Sequence, residues 1–303
     1  VRTAYLGTSD FAATVLRRLA ASPHRPNLVV TPPDRRRGRG RKVQPPPAAL
    51  AAQELGLELL QAENVNDDEA LGRIRAAEPE AVLVCAFGQL IREPLLSEYP
   101  MLNVHPSLLP RWRGAAPIER AIMAGDEKTG VCVMRLTEGL DSGPVALCEK
   151  TPIDPAEDFE TLAARLAELG GELLVRALDL QAEGALEFAE QDEAGVTYAD
   201  KIEAAERSLD PGRPAVELAA KVRALTPHVG AYLELPGGER LGVREARAVR
   251  SDSDLQPGEL AERDGALLLG TGEGALQLEF VQPAGGKPMP ADAYLRGHPL
   301  PAS

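Results

Sequence analysis

The sequence predicts a doubly wound α/β domain followed by a small β-barrel domain. Three observations carry that expectation. Short apolar runs alternate with helical stretches through residues 2–173, the pattern of a parallel sheet with crossover helices. Residues 182–207 are polar and acidic with little periodicity, which reads as a linker. Beyond them one helix is followed by short strand candidates between Gly-rich turns. The expected boundaries are 1–187 for the α/β domain, 188–207 for the linker and 208–303 for the barrel. Two domains also suit a chain of 303 residues.

Taken in order, residues 2–6 form a first strand, and Ser9 or Asp10 caps a helix over 10–21. Residues 27–31 form a second strand running into Pro32-Pro33-Asp34. A helix over 48–55 ends at Gly56, and 57–60 is a short strand. Residues 67–77 are helical. AVLVCA at 81–86 is the unbroken apolar run of a strand buried on both faces, and 101–104 is another short strand. Strands at 131–136 and 145–153 flank a turn at Leu140-Asp141-Ser142-Gly143-Pro144. Phe159, Leu162, Leu166, Leu169 and Leu173 recur at spacings of three and four, one apolar face of a long helix. The second domain opens with a helix over 215–225, followed by strands at 230–235, 240–246, 265–269 and 275–281. The first βα turn, LGTSDFA, has one glycine where a dinucleotide fingerprint needs three, so no dinucleotide is indicated.

Composition narrows the function classes. Apolar residues make up 44% and charged residues 26%, an ordinary soluble globular mix. Cys85, Cys132 and Cys148 lie far apart without metal-ligand spacing. The expectation is buried small hydrophobes in a reducing compartment, with neither a disulfide framework nor a structural zinc. No run approaches the ~20 apolar residues that span a bilayer. The opening residues lack the basic start and apolar stretch of a secretory signal, so a cytoplasmic protein without membrane association is expected.

Charge is uneven. The net charge of −13 does not describe a nucleic-acid binder. Yet residues 35–42 read RRRGRGRK, with six basic residues and no acid, against 27 basic and 46 acidic residues elsewhere. Like charges this dense repel unless an anion screens them, and Gly38 and Gly40 would let the backbone approach one closely.

The densest chemistry lies at residues 103–117. Asn103 and His105 are two apart, so in a strand they project from one face. An amide donor beside an imidazole can bind a carbonyl oxygen that is gaining negative charge. Asp141 sits on a tight turn, and beside His105 it would fix the orientation of the ring. The other histidines, His24, His228 and His298, have no comparable sequence neighbours and read as structural.

NVHPSLLPRWRGAAPI (103–118) and GLDSG (139–143) resemble the signature of the tetrahydrofolate-dependent formyltransferases. The extended RWRGAAPI resembles the branch acting on methionyl-tRNA. The likeness covers nearly the whole chain: LGTSDFA (6–12), TPPDRRRGRGRK (31–42), AFGQLI (86–91), TYADKI (197–202) and QPAGGKPM (282–289) are all similar to segments of that family. It implies a Rossmann-like catalytic formyltransferase domain and a tRNA-contacting barrel similar to an OB fold. The implied reaction moves a formyl group from 10-formyltetrahydrofolate to the α-amine of methionine on initiator tRNA, for translation initiation.

By motif position, the resemblance makes Asn103, His105 and Asp141 the catalytic trio. Ser107, Leu108, Leu109 and Pro110 would bind folate, with Phe87 and Gly88 as a second wall of the slot. Arg35, Arg36, Arg37, Arg39, Arg41 and Lys42 would meet tRNA, with Arg39 reaching the acceptor end. No metal is required, and a monomer is expected. There are departures. Pro106 replaces a common glycine, giving the His-Pro step usual in the glycinamide ribonucleotide branch, and Pro227-His228-Val229 replaces Pro-Trp-Pro. Residues 208–303 carry 10 basic and 13 acidic residues where the family often has a basic face; 221–250, with six against three, is the remaining candidate. Two other readings stay open: a formyltransferase or hydrolase acting on a small molecule such as a nucleotide or amino sugar, and a catalytically inactive RNA-binding relative. The basic loop and the additional C-terminal domain oppose the first, and the intact trio opposes the second.

Overall fold

The computed structural model describes residues 1–37, 42–249, 255–298 and 300. In chain order its elements are β1 (Thr3–Gly7), α1 (Asp10–Ala20), β2 (Leu28–Thr31), β3 (Arg35–Arg37), β4 (Lys42–Gln44), α2 (Pro47–Glu54), β5 (Leu59–Gln61), α3 (Asp68–Ala76), β6 (Ala81–Cys85), α4 (Leu95–Glu98), β7 (Met101–His105), β8 (Arg113–Gly114), α5 (Pro117–Met123), β9 (Lys128–Arg135), β10 (Val145–Pro152), α6 (Phe159–Ala182), β11 (Tyr198–Ala199), α7 (Ala215–Leu225), β12 (Ala231–Glu234), β13 (Arg240–Val249), β14 (Leu260–Arg263), β15 (Ala266–Gly270), β16 (Ala275–Gln282), β17 (Met289–Pro290) and α8 (Ala291–Gly297). They gather into two compact units. One comprises Val1–Gly114, Lys128–Pro152 and Ala163–Tyr198; the other comprises Ala115–Glu127, Ile153–Leu162 and Ala199–Ser303.

The first unit is built on a seven-stranded sheet in the order β10-β9-β7-β6-β1-β2-β5. The five strands from β7 to β5 are parallel, while β9 and β10 add antiparallel at one edge. β1, β6 and β7 are buried along their whole length, and β6, AVLVC, accordingly reads as an unbroken apolar run rather than an alternating one. Strand order reverses between β1 and β6, and the carboxyl ends of strands at such a switch point are the usual ligand position in open α/β sheets. Ser9 caps α1, its side chain accepting from the Ala12 backbone N–H. The lone glycine of that turn, Gly7, has a packing reason: a Cβ there would meet the Tyr5 ring at 2.7 Å and Ala12 Cβ at 2.9 Å. Leu6, Val30, Val82 and Val84 pack with Leu71 and Ile74 of α3 and with Leu95, each fully buried side chain of this size contributing about 2 kcal/mol.

The second unit is a small barrel-like β domain. Its sheet runs β12-β13-β16-β15-β14, with β17 paired to β16. Leu218, Val222 and Leu225 of α7 cover Leu241, Val243, Leu267, Leu269, Leu276, Leu278 and Val281. α5 packs on α7 within this unit.

Several features differ from the sequence reading. The basic segment is not a plain loop: β3 and β4 pair antiparallel, with Arg35 opposite Gln44, Arg36 opposite Val43 and Arg37 opposite Lys42. α5 and β14 escape a periodicity reading because one spans seven residues and the other, LAER, faces water on an edge. Cys132 and Cys148 are not both buried hydrophobes. They lie directly opposite in the β9–β10 register and are joined as a disulfide, Cys148 being exposed because β10 is the edge strand. Cys85 does behave as a core hydrophobe, burial pushing its thiol up to about 12. Among the described residues, no helix is long and apolar enough to cross a membrane.

Candidate active site

The catalytic candidates converge on β7 and the 140–144 turn, all within the first unit. Asn103 and His105 alternate along β7 and are both buried. Asp141 sits between them: Asn103 Nδ2 donates to its Oδ1 at 3.4 Å, and His105 Nδ1 lies 3.6 Å from its Oδ2. The Gly114 backbone N–H donates to the same Oδ2 at 2.9 Å. The opposite ring nitrogen, His105 Nε2, is 2.8 Å from the Trp112 carbonyl. Both ring nitrogens thus face oxygen atoms, Nδ1 the Asp141 carboxylate and Nε2 the Trp112 carbonyl. Trp112 and Asp141 each hold a positive φ, 63° and 44°, unusual for residues with side chains and enriched at functional sites.

The folate candidates follow the carboxyl end of β7. Ser107 is fully buried, and its Oγ donates to the Arg111 carbonyl at 2.6 Å, closing the Leu108-Leu109-Pro110 turn. Leu108 packs at Gly130 of β9, where any Cβ would lie 2.5 Å from Leu108 Cδ2. Phe87 is buried after β6, with Ala86 at φ 44° and Gly88 at φ 78°. Thr8 Oγ1 donates to the Phe87 carbonyl at 2.5 Å, so the end of β1 holds the turn that follows β6. These two turns lie beyond the ends of strands in one parallel sheet, β7 and β6 being neighbours.

Of the cationic candidates, Arg35, Arg36 and Lys42 are exposed, and Arg35 Nη2 is 3.7 Å from Glu63. Arg37 takes part through its backbone in β3, while Arg39 and Arg41 lie outside the described residues. In the 221–250 stretch most of the described basic groups are occupied; the exception is Arg223, whose buried Nε has no hydrogen-bond partner, and Arg250 lies outside the described residues. Lys221 Nζ donates to the Ser208 carbonyl, Arg240 lies over the Tyr232 ring, and Arg247 pairs with Glu279.

Sequence reading missed several partners. His24 is 2.8 Å from Asp179 in the first unit. In the second, His228 is 2.9 Å from Glu119 and stacks on Phe159. Gln191, fifty positions from Asp141, donates to that turn's carbonyls. No spacing rule links residues so distant along the chain. Among the described residues no cluster of three His, Cys, Asp or Glu side chains could hold a metal ion.

Comparison with known proteins agrees with the motif. The formyl transferase family matches residues 1–178, and the formyl transferase C-terminal domain matches residues 201–299. The chain is 43% identical over 299 residues to a methionyl-tRNA formyltransferase of Methylobacillus flagellatus, covering 98% of this chain and 96% of that protein. It is also 43% identical to one from Halorhodospira halophila, over 99% of this chain and 97% of the relative. At the level of fold it resembles HypX from Aquifex aeolicus in complex with tetrahydrofolic acid, with TM-score 0.66 and 19% identity over 97% of this chain. The chain spans about half the length of that protein, 46%. An N-formyltransferase from Helicobacter canadensis, in complex with folinic acid and dTDP-3-aminofucose, superposes with TM-score 0.67 at 11% identity, covering 92% of this chain and 98% of that one. With its formyl transferase N- and C-terminal domains and close likeness over nearly full length, the chain belongs to the formyl transferase family, in its methionyl-tRNA formyltransferase branch.

Proposed function

We propose that the protein transfers a formyl group from 10-formyltetrahydrofolate to the α-amino group of methionine on initiator Met-tRNA. The observation that carries the reading is the Asp141 carboxylate set between Asn103 and His105, 3.4 and 3.6 Å away. Relatives 41–43% identical that carry the methionyl-tRNA formyltransferase name support the choice of acceptor. The folate co-substrate supplies the electrophilic formyl carbon. The slot proposed for it has an apolar face, Leu108 and Phe87, beside turns whose backbone groups offer polar contacts to a flat ring.

Formyl transfer passes through a tetrahedral carbon bearing an oxyanion. Asn103 Nδ2 and an N–H of His105 are the donors for that oxygen, one such donor being worth about 2.7–4 kcal/mol in comparable sites. The amine must lose a proton as the new bond forms, and the departing nitrogen must gain one. His105, oriented by Asp141, is the group that moves this proton, directly or through water. Its Nε2 is engaged by Trp112 O, so substrate must replace that carbonyl before Nε2 can act. Leaving-group protonation and oxyanion binding are both assigned to side chains, so the proposal requires no metal. Arg35, Arg36, Arg37, Arg39, Arg41 and Lys42 are assigned to the tRNA acceptor end, and the protein is read as a cytoplasmic monomer.

The test is turnover on charged initiator tRNA, read by mass spectrometry of the aminoacyl group. His105→Ala and Asp141→Asn should each lower kcat by ~10²-fold or more with little change in tRNA affinity. The double variant should be little worse than the worse single, since the residues act as a unit. Wild-type turnover in His105→Ala would end the assignment.

A further inference from the structure

Asp141 stands on a turn that does not hold itself. Its φ of 44° is a backbone state that residues with side chains seldom adopt, and the turn needs Gly143, whose Cβ would lie 2.0 Å from the Arg135 carbonyl. Holding such a turn requires the surroundings to over-determine it. The 189–197 segment does so. Val145 and Ala189 exchange two backbone hydrogen bonds of 2.8 and 2.9 Å at the base of the turn. Gln191 Nε2 then donates to both the Asp141 carbonyl at 2.8 Å and the Gly143 carbonyl at 2.7 Å, using both amide protons. Its Oε1 accepts from Arg113 Nε at 3.0 Å, which fixes the amide's orientation.

Arg113 is the joint of this arrangement. It is buried, 4% exposed, and its Nη2 lies 3.6 Å from Glu193, beyond hydrogen-bond reach. Its own backbone N–H donates to the Thr197 carbonyl at 2.9 Å, and the Trp112 N–H donates to Thr197 Oγ1 at 2.9 Å. Three consecutive residues therefore touch three parts of the site. Trp112 O meets His105, the Arg113 side chain holds Gln191, and Gly114 N holds the Asp141 carboxylate.

We infer that Gln191 is a positioning residue for formyl transfer, oriented by Arg113, which holds the Asp141 turn so that the carboxylate reaches Asn103 and His105. The inference rests on the assignment of Asp141 to the reaction. Gln191 touches no reacting atom; it acts through Asp141 alone.

The experiment uses the full chain, with formyl-folate and Met-tRNA as substrates. Gln191→Met keeps the volume and removes every hydrogen bond. Gln191→Glu keeps an acceptor for Arg113 and removes both donors. Each should lower kcat by ~10- to 100-fold, as a displacement of about 1 Å does in a positioned site, with both KM values within about twofold of wild type. In an Asp141→Ala background, Gln191→Met should cost less than about twofold further, because its effect runs through the missing carboxylate. A full additional loss in that background overturns the proposal, as does near wild-type kcat in Gln191→Met or a rise in both KM values without a fall in kcat. Should Gln191→Met fail to fold, the same cycle with Gln191→Glu decides between these outcomes. Wild-type turnover in Asp141→Ala alone would instead sink the underlying assignment of Asp141, so the two failures are distinguishable.

Discussion

Leu108, assigned to the proposed folate slot, is the residue whose change should separate folate binding from everything else in the site. It stands on the turn after β7 and occupies the space left by the absent side chain of Gly130 on β9. A carboxylate there would desolvate against an apolar wall. Leu108→Asp should therefore raise KM for formyl-folate by ~10-fold or more while changing that for Met-tRNA by less than about twofold. Steady-state kinetics with each substrate varied in turn checks this, and an equal rise in both would indicate general unfolding. Leu108 itself is legible in the SLLP motif. Its dependence on Gly130 is not, because the antiparallel β7–β9 pairing that brings the turn after β7 against β9 is not revealed by periodicity.

Among the elements, α5 is held by a charge cluster within the second unit. Arg120 donates to both oxygens of Glu206, at 2.6 and 3.1 Å, and twice to the Asp200 carbonyl, at 3.2 and 3.0 Å. Those Arg120 hydrogen bonds, with the Glu203 N–H at 2.9 Å, hold the Glu206 carboxyl below its ordinary range. A depressed carboxyl contributes stability above its unfolded value, ~4.3, and loses it as pH falls through the lower folded value. Arg120→Ala should therefore cost about 1–3 kcal/mol at pH 7, and the deficit should narrow below about pH 4. Urea melts at the two pH values measure it, and a deficit independent of pH would assign the cost to the Asp200 contacts alone. Long periodic elements such as α6 and α7 follow from sequence, since an apolar stripe over eleven or more residues has one reading. α5 does not: at seven residues its burial is decided by α7, not by its own pattern.

For the molecule as a whole, a net charge of −13 repels a polyanion, so attraction must come from a local field. The proposed source is the basic segment at 35–42, and screening limits its reach to ~8 Å in physiological salt. Neutralising Arg35, Arg36, Arg37, Arg39, Arg41 and Lys42 together should change the log–log salt slope of tRNA binding by roughly 2–3. Turnover should fall as well, because the reactive amine lies at the tRNA end being positioned. Arg39→Ala is the most informative single change. A salt series of binding and kcat/KM on Met-tRNA is the measurement; an unchanged slope would direct the search to residues 221–250.

By itself the sequence determined the α/β order of strands and helices, the family and the identity of the Asn103, His105 and Asp141 candidates. Each of those rests on local periodicity or on a contiguous motif, both of which survive without knowledge of contacts. Tertiary structure alone decided which groups meet: Asp141 with Asn103 and His105, Gln191 with the Asp141 turn, Cys132 with Cys148, and the flanks of the basic segment with each other. The physical reason is the same throughout. Strand pairing and turn geometry bring together residues many tens of positions apart, and short-range hydrophobic pattern carries no information about such closures.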